Sequence, residues 1–234
     1  MNNFKEKMTG MRLVIFDLDD TLIDNTLLDV DSFKHTLYLF SLQAPSGKTI
    51  VRWRKNGMIA TNIFRRLVKK RDRPLLERLA RARLDYLSNG GGGLGLVRAR
   101  DGAIETLDEI KRKGNLIAVV SSRKDRAIIK KILREIGLSR YVDGVYCAAD
   151  CKDCKDGRQS FIELKVKLYR LALSDHQSHT DEKPIAVGNL VSDIVSARRL
   201  GILPIAIRGS YRFDSGISRK AKTIGKLRQV LGFL

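Results

Sequence analysis

Short apolar runs recur along the chain, and stretches with a helical pattern separate most of them. The runs lie at residues 12–16, 116–120, 142–146, 185–187 and 203–207. The helical stretches, in which apolar residues repeat every three or four positions, lie at residues 103–113, 124–136, 161–173 and 191–200. Continuous apolar runs of this kind are typical of parallel strands that are buried on both faces. Strands that alternate with helices predict βαβ units, and therefore an α/β fold built on a parallel sheet.

The alternation is interrupted after the first apolar run. Residues 24–96 contain no run typical of a strand, but helical patterns at residues 35–42, 58–70 and 74–87, followed by glycines at 90–93 that predict a flexible connection. We therefore predict an α/β core formed by residues 1–23 and 97–234, into which residues 24–96 are inserted as a helical domain. Residues 46–49 (SGKT) resemble the end of a phosphate-binding loop, but Leu42 replaces the glycine that such a loop requires, so we predict a turn there.

The composition favours anionic partners. Lys and Arg number 45 against 26 Asp and Glu, which gives a formal net charge of +19. Residues 48–83 alone hold thirteen basic residues and two acidic ones. Such a balance suits phosphorylated small molecules or nucleic acid. No apolar run approaches the roughly 20 residues that cross a bilayer, and the first residues lack the apolar segment of a secretory signal. We therefore expect a cytoplasmic protein without a membrane partner.

The strongest chemical signal is the sequence DLDDT, which follows the first apolar run and contains Asp17, Asp19 and Thr21. The carboxyl ends of strands are where ligands bind in open α/β sheets. Alternation along the loop directs Asp17 and Asp19 to the same side, so that one carboxylate can attack phosphorus while the other handles a proton. The alternative is an acidic turn that ends the strand or caps a helix.

An apolar strand followed by D-x-D-x-T resembles the first motif of the haloacid dehalogenase superfamily. The resemblance implies a Rossmann-like core with a helical cap between the first and second motifs, and a Mg²⁺-dependent phosphatase. It also implies that Asp17 is the nucleophile, that Asp19 is the general acid and base, and that Thr21 contributes to phosphate binding. Asp17 and the backbone carbonyl of Asp19 would hold the Mg²⁺ ion.

The other three motifs of this family follow the first along the chain. Ser121, at the end of the run at 116–120, matches the phosphate-binding serine or threonine of the second motif. The lysine of the third motif is assigned to Lys155, six residues before an aromatic residue. Lys165 is the alternative, which we expect to face solvent from the middle of a helix. The fourth motif normally supplies two acidic metal ligands.

In this chain, the fourth motif reads Gly188-Asn189 followed by Asp193. The resemblance assigns both Asn189 and Asp193 to the Mg²⁺ site. An asparagine keeps a carbonyl oxygen as a ligand but removes one negative charge, so we expect weaker metal binding and not lost activity.

Three cysteines cluster at Cys147, Cys151 and Cys154. Their spacing matches that of the radical-SAM iron–sulfur motif, but the chain offers no barrel in which such a cluster is bound. A structural Zn²⁺ site with His176 or His179 as the fourth ligand is a second option, and a local disulfide is a third. We favour the simplest interpretation, three ordinary thiols.

The sequence thus predicts a Mg²⁺-dependent phosphatase that hydrolyses a phosphate monoester through an aspartyl-phosphate, with a small phosphorylated substrate. The alternative is a nucleic-acid-binding protein that reuses the fold with weak or no catalysis, as the positive charge and Asn189 suggest. The intact set of Asp17, Asp19 and Thr21 favours the enzyme.

Overall fold

The protein is described by a computed structural model over residues 10–68, 72–88, 94–151, 160–177, 180–209 and 221–234. Its centre is a sheet of six parallel strands in the order β5-β4-β1-β6-β7-β8, and β2 and β3 form a separate antiparallel pair. The strands are β1 (Leu13–Asp17), β2 (Ile23–Asp24), β3 (Arg98–Ala99), β4 (Leu116–Ser121), β5 (Gly144–Cys147), β6 (Ile185–Gly188), β7 (Leu203–Ile207) and β8 (Lys222–Ile224). The predicted α/β fold with a parallel sheet is confirmed.

Four of the described helices cover the two faces of this sheet: α5 (Ala103–Arg112), α6 (Arg126–Glu135), α7 (Phe161–His176) and α8 (Val191–Arg199). Four others precede them in the chain and belong to the insertion: α1 (Thr26–Leu39), α2 (Gly47–Lys55), α3 (Ala60–Leu67) and α4 (Arg73–Ser88). Short 3₁₀ segments lie at Leu94–Leu96, Ser139–Tyr141, Ala148–Asp150 and Leu227–Phe233. None of the described helices is both long and apolar enough to cross a membrane.

Strand β1 shows how the sequence makes a three-layer structure. All five of its residues are buried, and successive side chains point to opposite faces. Val14 and Phe16 pack in the cluster that contains residues of α5 and α6, whereas Leu13 and Ile15 pack with residues of α7 and α8. Asp17 then ends the strand, opposite Val120 of β4 in the parallel register. The carboxyl ends of β1, β4 and β6 therefore meet at one edge of the sheet.

Helices α1 to α4 lie between β2 and β3 in the chain and form a hydrophobic cluster of their own. Its buried residues are Phe33, Leu37, Ile50, Ile63, Phe64 and Leu79. The positive charge of residues 48–83 is partly neutralised by an acidic residue that precedes them in the chain. Asp29 of α1 accepts hydrogen bonds from both Arg54 and Arg83. Residues 46–49 do not form the predicted turn. Instead, Ser46 caps α2 by accepting a hydrogen bond from the backbone N–H of Thr49.

Candidate active site

Asp17 lies at the bottom of the site, at the carboxyl end of β1. Its side chain is almost fully buried, with the residue 5% exposed. One carboxylate oxygen accepts a hydrogen bond of 2.5 Å from Nζ of Lys165, and the other lies 3.3 Å from the hydroxyl of Thr21, which donates to it. The two predicted residues Asp17 and Thr21 are therefore in contact.

Lys165 is the cation of this site. It lies on α7, is 2% exposed, and places Nζ 2.9 Å from a carboxylate oxygen of Asp193 and 3.1 Å from the carbonyl oxygen of Val120. The expectation that Lys165 faces solvent is wrong. Lys155, to which the sequence assigned this role, lies outside the described residues, so its role stays a prediction.

The sequence carried a signal for Lys165 that its charged neighbours obscured. The buried positions of α7 include Leu164, Leu168, Tyr169 and Ala172, which recur at helical spacing and pack against the sheet. Lys165 shares that apolar face instead of the polar one. Because an unpaired lysine is almost never fully buried, a lysine on an apolar face indicates a buried carboxylate partner.

The loop between β6 and α8 brings Asn189 and Asp193 to the same place. Asp193 is fully buried in the first turn of α8 and accepts a hydrogen bond from the backbone N–H of Leu190. Its carboxylate lies directly over Gly188, where an added Cβ would come within 2.4 Å of it. The carbonyl oxygen of Asn189 lies 3.5 Å from the Thr21 hydroxyl oxygen, so that it shares the single proton of this hydroxyl with Asp17.

Ser121 ends β4, beside the carboxyl end of β1. It is 1% exposed, and its hydroxyl oxygen accepts a hydrogen bond of 3.2 Å from the backbone N–H of Arg123. The proton of that hydroxyl is left to donate elsewhere, as the predicted contact with a phosphoryl oxygen would require. The structure thus brings Ser121 to the same edge of the sheet as Asp17.

Asp19 is held by two residues that the sequence reasoning did not single out. Arg123, in the loop after β4, donates to both of its carboxylate oxygens, from Nε at 3.0 Å and from Nη2 at 2.7 Å. Asn25, next to the start of α1, donates a third hydrogen bond at 2.9 Å. A lone arginine after Ser121 gives no sequence signal in a chain with 45 basic residues, so only the structure could identify it.

The burial of the carboxylates sets the electrostatics of the site. Burial raises the pKa of Asp17 to about 7; Lys165 opposes that increase, and Asp193 adds to it. Although burial disfavours its charge, the carboxylates of Asp17 and Asp193 raise the pKa of Lys165. The pKa of Asp19 is lowered instead. Burial would raise this pKa, but the guanidinium of Arg123, the hydrogen bond from Asn25 and the charge of Lys165 together outweigh burial.

A family model matches most of the chain, including these residues. The family model described as haloacid dehalogenase-like hydrolase matches residues 14–207, which include every site residue named above. The chain belongs to this family. The resemblance drawn from the D-x-D-x-T sequence is thereby confirmed, and the haloacid dehalogenase-like fold agrees with the six-stranded sheet described above.

Individual proteins that resemble this haloacid dehalogenase-like hydrolase share between 20% and 27% of their aligned residues with it. The pyrophosphatase PpaX of Oceanobacillus iheyensis is 24% identical over 87% of this chain and 86% of its own length. A phosphoglycolate phosphatase of Agrobacterium fabrum is 27% identical over 85% of this chain and 81% of its own. A haloacid dehalogenase-like hydrolase from Streptococcus pneumoniae has the same fold, with a TM-score of 0.70 at 20% identity over 95% of this chain and 98% of its own. This chain is a hydrolase that acts on phosphate esters.

The oxygen atoms at the centre of the site fit a hard divalent cation. A carboxylate oxygen of Asp17 and the carbonyl oxygen of Asn189 both lie within 3.5 Å of the same Thr21 hydroxyl, although they come from β1 and from the loop after β6. Oxygen ligands of this kind suit Mg²⁺. Within the described residues, no group of three or more His, Cys, Asp or Glu side chains is arranged to hold a metal. The set at this site is poorer in charge because an amide stands where the family usually has a carboxylate.

Two of the three cysteines lie at or just after the carboxyl end of β5, and Cys147 is the register partner of Ser121. Cys147 ends β5 and Cys151 follows it, and both are buried. Burial raises the pKa of the Cys147 thiol, which disfavours the thiolate that a metal ion would bind. Cys154 and His179 lie outside the described residues. The Zn²⁺ hypothesis therefore stays a prediction to which the described residues add no support.

Proposed function

We propose that this hydrolase cleaves phosphate monoesters with Asp17 as the nucleophile and with Mg²⁺ as the cofactor. The observation that carries the proposal is the buried triad of charges in which Lys165 contacts Asp17 at 2.5 Å and Asp193 at 2.9 Å. A buried carboxylate at the open end of a central strand, held by a buried cation, is the arrangement that nucleophilic attack on phosphorus requires.

Each residue has a definite part in the proposed reaction. Asp17 attacks the phosphorus atom in line with the leaving oxygen, and an aspartyl-phosphate forms while the leaving oxygen takes a proton from Asp19. Because Arg123 lowers the pKa of Asp19, only its minor, protonated form can donate this proton. Asp19 then accepts a proton from a water molecule that attacks the phosphoenzyme and releases phosphate. Ser121 donates a hydrogen bond to a phosphoryl oxygen, and Lys165 compensates the negative charge that gathers around Asp17.

The Mg²⁺ ion would be held by Asp17, the backbone carbonyl of Asp19, Asn189 and Asp193. When bound, it supplies positive charge that offsets the repulsion between the phosphate and the attacking carboxylate. Thr21 lies between the two side-chain oxygens of Asp17 and Asn189, and its hydroxyl orients both of them. This contact supports an orienting role for Thr21 in addition to the predicted contact with phosphate.

We also propose that residues 24–96 act as a cap domain that selects the substrate. A cavity of about 510 Å³ lies where the insertion meets the core, and its charged lining residues are Lys55 of α2, Arg98 of β3 and Asp24 of β2. Gly209, also in its wall, is close to Asn189, so the cavity borders the site. Two cations against one carboxylate leave a net positive wall, which suits a small phosphorylated substrate. No described contact favours nucleic acid, and both that partner and the cytoplasmic location stay predictions.

The test is a hydrolysis assay with p-nitrophenyl phosphate in the presence and absence of Mg²⁺. We expect turnover that EDTA abolishes and excess Mg²⁺ restores. Asp17→Asn should reduce kcat by a factor of at least about 10⁴, because an amide does not attack phosphorus. Asp101→Asn, at an exposed position, is the matched control and should leave kcat unchanged. Turnover that survives in Asp17→Asn at the wild-type rate would refute the proposed nucleophile.

A further inference from the structure

Arg123 contacts Asp19, the proposed acid and base, and keeps N–H groups that can bind a ligand. Its Nε and Nη2 donate to the two oxygens of Asp19, which occupies one side of the planar guanidinium. A guanidinium has five N–H groups, and those on Nη1 have no acceptor among the described residues. Its side chain is 18% exposed, so a ligand can reach it. Arg123 is therefore able to bind a second oxyanion with the end of its fork.

The other cation of the site does not have this capacity. Nζ of Lys165 is shared between Asp17, Asp193 and the carbonyl oxygen of Val120, and the side chain is 2% exposed. It lies on the nucleophile side of the site, whereas Arg123 lies against Asp19, the residue that protonates the leaving oxygen. Of these two cations, only Arg123 can interact with the part of the substrate that leaves.

The backbone around Arg123 fixes this position. Its N–H donates to the Ser121 hydroxyl at 3.2 Å, and its carbonyl oxygen accepts a hydrogen bond of 3.0 Å from the N–H of Ala148. The same loop therefore positions the phosphate-binding serine and the guanidinium. A substrate held by Ser121 would present its leaving group toward Arg123 in a constant geometry.

We propose that Arg123 is a specificity-determining residue that binds a negatively charged leaving group. The preferred substrates are phosphate compounds whose leaving group carries a carboxylate or a second phosphate near the scissile oxygen. Either anion offers two oxygens that match the guanidinium fork. This inference rests on the proposed function, because it needs Asp19 to act on the leaving oxygen.

The experiment compares substrates that differ in the charge of the leaving group and keep an alkyl ester as the scissile bond. Phosphoglycolate and 2-hydroxyethyl phosphate form one pair, with a carboxylate replaced by a hydroxymethyl group. Ethane-1,2-diol bisphosphate and 2-hydroxyethyl phosphate form the second pair, which tests phosphate in place of carboxylate. For wild-type protein, we expect kcat/KM to be higher for the anionic member of at least one pair, by roughly 10- to 100-fold, as for hydrogen bonds to charged groups.

Arg123→Gln should remove that preference, lowering kcat/KM for the anionic member until the two members of the pair differ by less than about threefold. Arg123→Lys should restore part of the preference, since it keeps the charge but loses the fork. Lys124→Gln, at the exposed neighbouring position, removes the same charge and should leave the ratio unchanged.

Two results would overturn the inference. If Arg123→Gln lowers both members of each pair by the same factor, Arg123 only positions Asp19. If the wild-type protein shows no preference for the anionic member of either pair, Arg123 does not bind the leaving group. Failure of the proposed function looks different, because the wild-type protein would then hydrolyse neither these compounds nor p-nitrophenyl phosphate, and the inference would fail with it.

Discussion

Lys165 separates two buried carboxylates that would otherwise repel each other. Asp17 is 5% exposed and Asp193 is fully buried, so neither charge is well compensated by water. Each lies within 3 Å of the same ammonium group. Removing one member of such a buried group leaves a charge without compensation, which is far more costly than losing an exposed ion pair.

The two candidate lysines can be distinguished by the same substitution at both positions. Lys165→Met should lower kcat for p-nitrophenyl phosphate by at least about 100-fold and lower the free energy of unfolding by about 3 kcal/mol, because Asp17 and Asp193 lose their shared cation. Lys155→Met is the matched variant, and we expect kcat to change less than about threefold. Steady-state kinetics and urea unfolding measure both quantities. A large loss of activity in Lys155→Met alone would return the role to Lys155.

The amide of Asn189 should also determine how tightly the site binds Mg²⁺. Asn189→Asp should lower the Mg²⁺ concentration for half-maximal activity by about tenfold or more, because a carboxylate is a stronger ligand for a hard cation than an amide oxygen. A Mg²⁺ titration of the hydrolysis rate measures it, with Asn56→Asp at an exposed position as the control for added charge. An unchanged or increased Mg²⁺ requirement would show that Asn189 does not touch the ion.

At the scale of elements, the junction between β6 and α8 determines where Asp193 and Asn189 lie. Strand β6 ends at Gly188, and α8 begins three residues later, so the carboxylate of Asp193 folds back over the glycine. Any side chain at position 188 would meet Asp193 within 2.4 Å. The glycine is therefore required by close packing against a functional carboxylate.

Gly188→Ala should disturb stability and activity together. The added methyl group displaces the Asp193 carboxylate and with it the contact to Lys165, and we expect a loss of about 1–3 kcal/mol in the free energy of unfolding. The reduced kcat should not recover at high substrate concentration. Gly232→Ala, at a position where an added Cβ meets no atom within 4 Å, is the control. Wild-type stability and kcat in Gly188→Ala would contradict the packing described here.

The elements that the sequence predicted well are those with strong periodicity. Five parallel strands and the helices α5 to α8 follow from apolar runs and helical spacing. The pair β2 and β3 has two residues in each strand and β8 has three, too short for a pattern to emerge. The residues of the site also differ in how clearly the sequence pattern marks them. Asp17 is marked by the end of a strand, whereas Arg123 and Lys165 become functional through contacts with residues more than 100 positions away.

At the scale of the whole molecule, positive charge is in excess, and the insertion carries much of it. A net charge of +19 opposes the compact state through self-repulsion. Buried acidic residues that pair with basic side chains therefore stabilise the fold. Asp29 is one such partner, because it lies between Arg54 and Arg83 with its side chain 8% exposed. It connects α1 to α2 and α4.

Asp29→Ala should destabilise the protein far more than removal of an exposed acid from the same insertion. We expect a loss of about 3 kcal/mol or more in the free energy of unfolding, because two arginines lose a buried partner. Asp85→Ala changes the net charge equally at an exposed position and should cost less than about 1 kcal/mol. Chemical unfolding at two salt concentrations separates the general charge effect, which both variants share, from the buried contacts. Equal losses would mean that Asp29 acts only through net charge.

The proposed mechanism requires that Asp17 becomes phosphorylated during turnover. Quenching the reaction in acid within milliseconds, followed by peptide mass spectrometry, locates the phosphoryl group. Asp19→Asn helps, because p-nitrophenolate leaves without a proton while breakdown of the phosphoenzyme loses its base, so the intermediate should accumulate. We predict a hydroxylamine-labile phosphoryl group on the peptide that contains Asp17, and none in Asp17→Asn. Hydrolysis at a normal rate with no phosphoryl group on Asp17 would contradict the account.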